Sequence, residues 1–322
     1  MLLRLAVLAA LLLPGAAAAQ EFPTRPVTMV VPFAAGGPID VLGRLLQGPM
    51  AEALGVPVVI ENISGGGGMV GSNKVKQATP DGYQIVLGSI GTHTLSPQLA
   101  KKPLYNPATD FAPVILAAEI PLVLLVRKDF PAQNLAEFVA YVKQNHAKLQ
   151  YGSGGTGTSS HIACVLLGQT IGADVIHVPY RGGGPAFTDL IAGRLDYICN
   201  YISLAVQAVA SGQVRALAIF ARERSPAIPA LPTAAEQGIA GVDSYTWNAI
   251  FAPKGTPPAV VAKLNAAASH ALDTPMVRER LAGLGLDVPP PERRTPEFLG
   301  RYVVDEMAKW TPAIKASGAA EE

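Results

Sequence analysis

Along the chain, short runs rich in Val, Ile, Leu and aromatic residues alternate with longer stretches in which apolar residues recur every three or four positions. The first kind of run suits a buried β-strand and the second an amphipathic helix, so the pattern predicts an α/β fold with parallel strands. Strands are expected at 27–31, 56–61 and 83–88, with one helix over 38–54 and a second running from a glycine loop at 65–68 through 77. The apolar run 112–126 is poor in helix caps and reads as strand structure leaving a first lobe. A second α/β set follows, with strands at 149–151, 175–178, 195–199 and 214–220 and helices at 159–170, 185–192 and 205–211. Beyond a proline-rich bend at 225–232, the run 245–252 reads as a return crossing, and helices are expected over 258–272, 275–284 and 296–317. Two α/β lobes with two crossing segments describe a type II-like clamshell, whose interlobe cleft is the default ligand site. The expected division is 20–123 with 248–322 for one lobe and 124–247 for the other.

The first twenty residues add an address. Arg4 precedes an apolar run at 5–13, Pro14 and Gly15 break it, and Ala17, Ala18 and Ala19 supply small residues for cleavage after position 19. That run is shorter than the roughly 20 residues that span a bilayer. The reading is a signal peptide, with no cysteine nearby for a lipid anchor, and a periplasmic location. With 25 Lys plus Arg against 24 Asp plus Glu and no basic run, the chain is near neutral, which argues against nucleic acid and anionic membrane surfaces.

Two segments match when aligned: V-P-F-A-A-G-G-P at 31–38 and V-P-Y-R-G-G-G-P at 178–185. Each follows an expected strand and opens an expected helix, one in each lobe. Proline suits a first helical turn, glycine lets the backbone approach a ligand, and a helix N-terminus favours an anion. These features nominate Phe33, Ala34, Ala35, Gly36, Gly37, Pro38, Tyr180 and Gly182 as opposing lips of one cleft. A third loop, G-S-G-G-T-G-T-S-S at 152–160, contains G-x-G-x-x-G. A dinucleotide site would need an acid about 20 residues further on, where V-P-Y-R stands instead; nor does a Lys-Ser or Lys-Thr pair close it as a P-loop. Ser153, Gly154, Thr156, Thr158 and Ser159 are better read as carboxylate donors, with helix capping the alternative for Thr158 or Ser159.

Asp40, near the third position of its helix, suits a structural cap. Asp196 sits in an apolar strand and needs partners, either glycine-loop N–H groups or a polar group on the ligand. No catalytic residue stands out: Ser160 and His161 are adjacent and do not face each other on a helix, and no G-x-S-x-G elbow is present. His161 suits a helix start or core edge, and Trp247 suits packing at the hinge. An oxidising compartment permits a disulfide between Cys164 and Cys199, whereas their apolar surroundings favour two buried free thiols. The five histidines show no ligand spacing with either cysteine, so no metal or other cofactor is expected.

Taken together, these segments resemble the Bug family, the extracytoplasmic solute receptors of tripartite tricarboxylate transporters. The resemblance rests on P-F-A-A-G-G-P-I-D at 32–40, P-D-G-Y at 80–83, D-F-A-P-V at 110–114 and Y-G-S-G-G-T-G-T-S-S-H at 151–161. It continues through V-P-Y-R-G at 178–182, L-P-T at 231–233 with Glu236 and Gly238, and A-P-K-G-T-P at 252–257. The family implies a two-lobe periplasmic binding protein that closes on a small carboxylate, with contacts from the loop at 33–40, Ser89 and Thr92, the loop at 153–159, and Asp196. It also implies membrane partners from a tripartite transporter. Ile39 departs from the small or hydroxyl residue expected beside the aspartate, and Arg181 stands where lysine is common. The sequence thus reads as a monomeric solute-binding protein, with a ligand-dependent periplasmic sensing partner as the alternative and an exported enzyme behind both.

Overall fold

Residues 22–317, apart from 222 and 243, are described by a computed structural model, and the expected export signal at 1–19 lies outside them. Strand β1 (Val27–Val31) buries every residue but Thr28 and leads through the first glycine loop to helix α1 (Pro38–Leu54). Proline opens that helix, and Gly55 ends it in the left-handed region at φ 71°, its N–H returning to the carbonyls of Ala51 and Glu52. β2 (Val58–Asn62), α2 (Met69–Lys76), β3 (Gln84–Ser89) and the single turn α3 (Ser96–Leu99) complete the first run. β1 lies parallel between β2 and β3.

β4 (Phe111–Arg127) then runs for 17 residues, nearly all of them buried. Its one acid, Glu119, is held by a two-pronged contact from Arg293 at 2.6 and 2.8 Å. A helix that the apolar pattern does not reveal follows, α4 (Leu135–Asn145), capped by the Asn134 side chain on the Glu137 N–H. β5 (Gln150–Ser153), α5 (Ser159–Ile171), β6 (Ile176–Pro179), α6 (Gly183–Ile191), β7 (Tyr197–Tyr201), α7 (Ile202–Ala210) and β8 (Val214–Phe220) form the second α/β set. β9 (Tyr245–Pro253) returns to the first sheet, before α8 (Pro258–Asp273), α9 (Pro275–Gly283) and α10 (Pro296–Ser317).

The two sheets share one plan. The first runs β2-β1-β3-β9-β4 and the second β6-β5-β7-β4-β8, with three parallel strands in each and an antiparallel strand inserted beside them from the other half of the chain. β4 belongs to both: Phe111 to Pro121 pair with β9, and Leu122 to Arg127 pair with β7 and β8. The sheet changes at Pro121/Leu122, while β9 pairs with the first sheet from Tyr245 onward. Trp247 is buried on the first-sheet side, its indole N–H donating to Glu306 of α10 at 3.3 Å.

The second sheet carries its own core, which includes Phe130, Phe138, Tyr151, Tyr197 and Phe220. Here the cysteine expectation is corrected. Cys164 of α5 and Cys199 of β7 form a disulfide, with Cα atoms 5.4 Å apart. Both are buried, as their apolar neighbours require, but β7 lies beneath α5 and brings the two sulfurs together. Among the described residues no helix is long and apolar enough to cross a membrane.

Candidate functional site

The first glycine loop is built around Asp40. That carboxylate, almost fully buried, accepts from the Gly36 N–H at 2.9 Å, Arg44 Nε at 2.8 Å and Asn62 Nδ2 at 2.9 Å. Asn62 also donates to the Phe33 carbonyl at 3.1 Å, so both ends of the loop are tied to one acid. Burial alone would raise the Asp40 pKa, but the bonds from Arg44, Gly36 and Asn62 outweigh it and hold it below the ordinary carboxylate value. Asp40 shapes the loop, three protein donors meeting its two oxygens.

The second glycine loop meets the first across the cleft. The Ala34 N–H donates to the Arg181 carbonyl at 3.1 Å. A Cβ added at Gly184 would lie 3.2 Å from the Gly37 nitrogen, and one at Gly182 would lie 3.3 Å from the Ala34 nitrogen. Backbone therefore rests on backbone, and the two sheets stand closed against each other. The second loop is held on its own side by the Tyr180 hydroxyl, which donates to Asp189 at 2.6 Å.

In the third loop, hydroxyls expected to face a ligand are largely turned inward. Ser153 Oγ lies 2.7 Å from His177 Nε2 and accepts from the Gly155 N–H at 3.1 Å. Ser160 Oγ accepts from the Gly154 N–H at 2.9 Å. Thr158 Oγ1 donates to the Gly155 carbonyl at 2.7 Å and caps α5 on the His161 N–H at 3.4 Å. His161 and His177 stack at 4.2 Å, and burial pushes their imidazoles down to about 3 and about 4, so both are neutral near pH 7. The Ser153–His177 contact was not foreseen from the sequence. It is a hydroxyl–imidazole pair with no carboxylate bonded to His177 among the described residues, and Ser153 is wholly buried.

Between the loops lies an inner chamber of about 20 Å3, walled by Phe33, Gly37, Pro38, Ile39, Ser89, Gly154, Thr158, Ser159, Ser160, Gly183 and Tyr201. Among the described residues no charged side chain lines it. Four helices start at its wall instead: α1 with Pro38, α5 with Ser159, α6 with Gly183 and α7 just after Tyr201. Each helix start carries a partial positive charge, and their convergence favours an anion. Phe33 and Gly154 also border an outer chamber of about 300 Å3, lined further by Gly65 to Gly68, Thr156, Tyr180 and Arg181.

Of the residues nominated from sequence, Phe33, Gly37, Pro38, Ser89, Gly154, Thr158 and Ser159 line the inner chamber, and Thr156 and Tyr180 the outer one. Ala34, Ala35, Gly36 and Gly182 form the loops around them, and Thr92 is buried behind Ser89, whose N–H it accepts at 2.9 Å. Asp40 and Ser153 hold loop geometry. Asp196 is a correction: it lies just before β7, at the end away from the cleft, bound to Arg127 at 3.2 Å and to the Gln150 N–H at 2.8 Å. The cleft meets the other end of β7, at Tyr201. Tyr201, Ser160 and Gly183 escaped the sequence reading, although ligands of open α/β sheets sit at the carboxyl ends of parallel strands, where Tyr201 stands. Ile39 is part of the inner wall and makes it apolar there.

Two sheets joined through the shared strand β4 and closed over a chamber of helix starts define a periplasmic-binding-protein fold. The chain belongs to the tripartite tricarboxylate transporter receptor family, the Bug-type receptors: residues 42–319 match the family described as "Tripartite tricarboxylate transporter family receptor". It is similar to MatC from Rhodopseudomonas palustris with bound malate, at 44% identity and TM-score 0.89, covering 91% of this chain and 100% of that one. The periplasmic binding protein BugD is 38% identical, with TM-score 0.90 over 94% of this chain and 100% of its own. An R. palustris protein with adipate is 32% identical, with TM-score 0.88 over 92% and 99%.

Proposed function

We propose that this protein captures a small organic carboxylate between its two sheets, in the periplasm, and delivers it to the membrane components of a tripartite transporter. It works as a monomer through closure, with no cofactor and no covalent step. The observation that carries this reading is the convergence of four helix starts on a chamber without charged side chains. An anionic head group is stabilised there by backbone dipoles, each contributing about 0.3–1 kcal/mol. Similar proteins hold malate and adipate, which are small carboxylates of the kind the chamber favours. Binding and closure are linked, because the chamber wall combines Phe33 and Pro38 from one loop with Gly183 from the other.

The test is a thermal-shift screen of the mature protein against mono-, di- and tricarboxylates, amino acids and nucleotides. A true ligand at 100 times its dissociation constant adds about 2.7 kcal/mol, a readily measured rise in Tm. A rise with a nucleotide and with no carboxylate would sink the reading. Delivery is checked separately, by uptake of the labelled ligand into vesicles carrying the tripartite membrane components. Uptake should require this protein, and uptake indifferent to its presence removes the transport role.

A further inference from the structure

The inner chamber, at about 20 Å3, admits one water-sized occupant. One oxygen of a carboxylate head fits there, and Phe33 and Gly154, which wall both this chamber and the outer one, are where the remainder of such a ligand can lie. The space beyond those two residues is the outer chamber, fifteen-fold larger at about 300 Å3. Among the described residues one cation stands on its wall. Arg181 is exposed there, and its side chain makes no ion pair or hydrogen bond among the described residues. The nearby acid, Asp189, is already taken by Arg194 and the Tyr180 hydroxyl. The opposite wall, Gly65 to Gly68, offers backbone without side chains. Closure also positions the arginine, because its own carbonyl receives the Ala34 N–H from the facing loop.

Resting on the carboxylate reading above, we infer that Arg181 receives a second carboxylate in the outer chamber and makes this protein selective for dicarboxylates over monocarboxylates of equal length. The guanidinium presents a planar fork that matches a carboxylate in two-pronged geometry. The first carboxylate sits at the helix starts, the carbon chain crosses Phe33, and the second carboxylate neutralises a charge that the protein leaves unpaired.

Calorimetric titration of the mature protein and of Arg181→Ala and Arg181→Lys tests this with two matched pairs, succinate against butyrate and adipate against hexanoate. Arg181→Ala should weaken the better-bound dicarboxylate about tenfold relative to its monocarboxylate, the partly exposed site tempering a charge-assisted bond. Arg181→Lys should restore part of that loss. Unchanged dicarboxylate affinity in Arg181→Ala, or an equal loss for both members of a pair, overturns the inference while leaving the carboxylate site intact. Wild-type protein that prefers the monocarboxylates overturns it as well. Failure of the wild type to bind any of the four acids, with a noncarboxylate ligand found, defeats the parent reading instead.

Discussion

The loops at 31–38 and 178–185 carry nearly the same sequence, yet they are held by different means. Counting 147 residues on from the first loop gives its counterpart in the second, so Ala34 corresponds to Arg181 and Gly37 to Gly184. These same pairs meet across the cleft, one through a 3.1 Å backbone hydrogen bond and the other through direct backbone contact. The halves thus close in register about an approximate two-fold between the loops. Their supports diverge. Asp40 clamps the first loop from within its own helix, whereas the equivalent position in the second is Phe187 and that loop is held by the Tyr180–Asp189 contact, its half carrying in addition the disulfide between α5 and β7. A repeated loop can therefore share a docking geometry while each copy finds its own foundation.

Removing the covalent support should have the largest effect. Replacing Cys164 and Cys199 with Ala frees 35 residues of separation, which on chain-entropy grounds costs about 4 kcal/mol. Urea unfolding with and without reductant measures it; a wild-type midpoint indifferent to reductant would show that the second loop's side does not depend on the bond. Removing the ionic support comes next. Asp40→Asn should cost about 2 kcal/mol, tempered because Arg44 is half exposed. The sign with pH follows from the depressed Asp40 pKa: its contribution is full above the ordinary value of 3.8 and is lost as pH falls through the lower folded value. Wild-type stability should therefore fall more steeply than that of Asp40→Asn below about pH 4, and parallel acid limbs would remove the clamp.

The smallest pair separates space from backbone conformation. Gly184→Val places side-chain atoms against Gly37, 3.2 Å away at the Cβ, and should weaken ligand binding about tenfold while the unliganded protein keeps its Tm. Gly36→Ala meets nothing within 4 Å but forces alanine to φ 79°, and should cost about 1 kcal/mol of stability with little loss of affinity. Calorimetry beside thermal melts distinguishes the two, and interchanged phenotypes would refute the assigned roles.

Much of this was readable in advance. Proline at a helix start and glycine after its end fixed α1 at Pro38–Leu54, and apolar runs gave β1 and β8 with their observed limits. α4 went unread although Asn134 and Glu137 form a capping pair, because its apolar face is short: Leu135, Phe138 and Val142. Asp196 was misplaced because the strand reading at 195–199 ran two residues early. That shift converts a residue before the strand into one within it. The cysteines were beyond reach for another reason: pairing depends on which helix covers which strand, and periodicity along one element carries no such information. The hydroxyl-rich sequence allowed Thr158 as a helix cap, which it is, but did not reveal that Ser153 bonds within its own loop and to His177.

β4 imposes a mechanical consequence. No slack chain separates the halves where it crosses, since the ladder passes from one sheet to the other between Pro121 and Leu122, and the Leu122 N–H is held by Ser244 at the foot of β9. Parting the halves means bending a hydrogen-bonded ribbon, much as one flexes a leaf spring. Such a joint has a stiffness and a resting angle, so motion is confined to a narrow arc. The empty receptor then samples few wasted orientations, and a captured solute has little rotational freedom of the halves left to suppress.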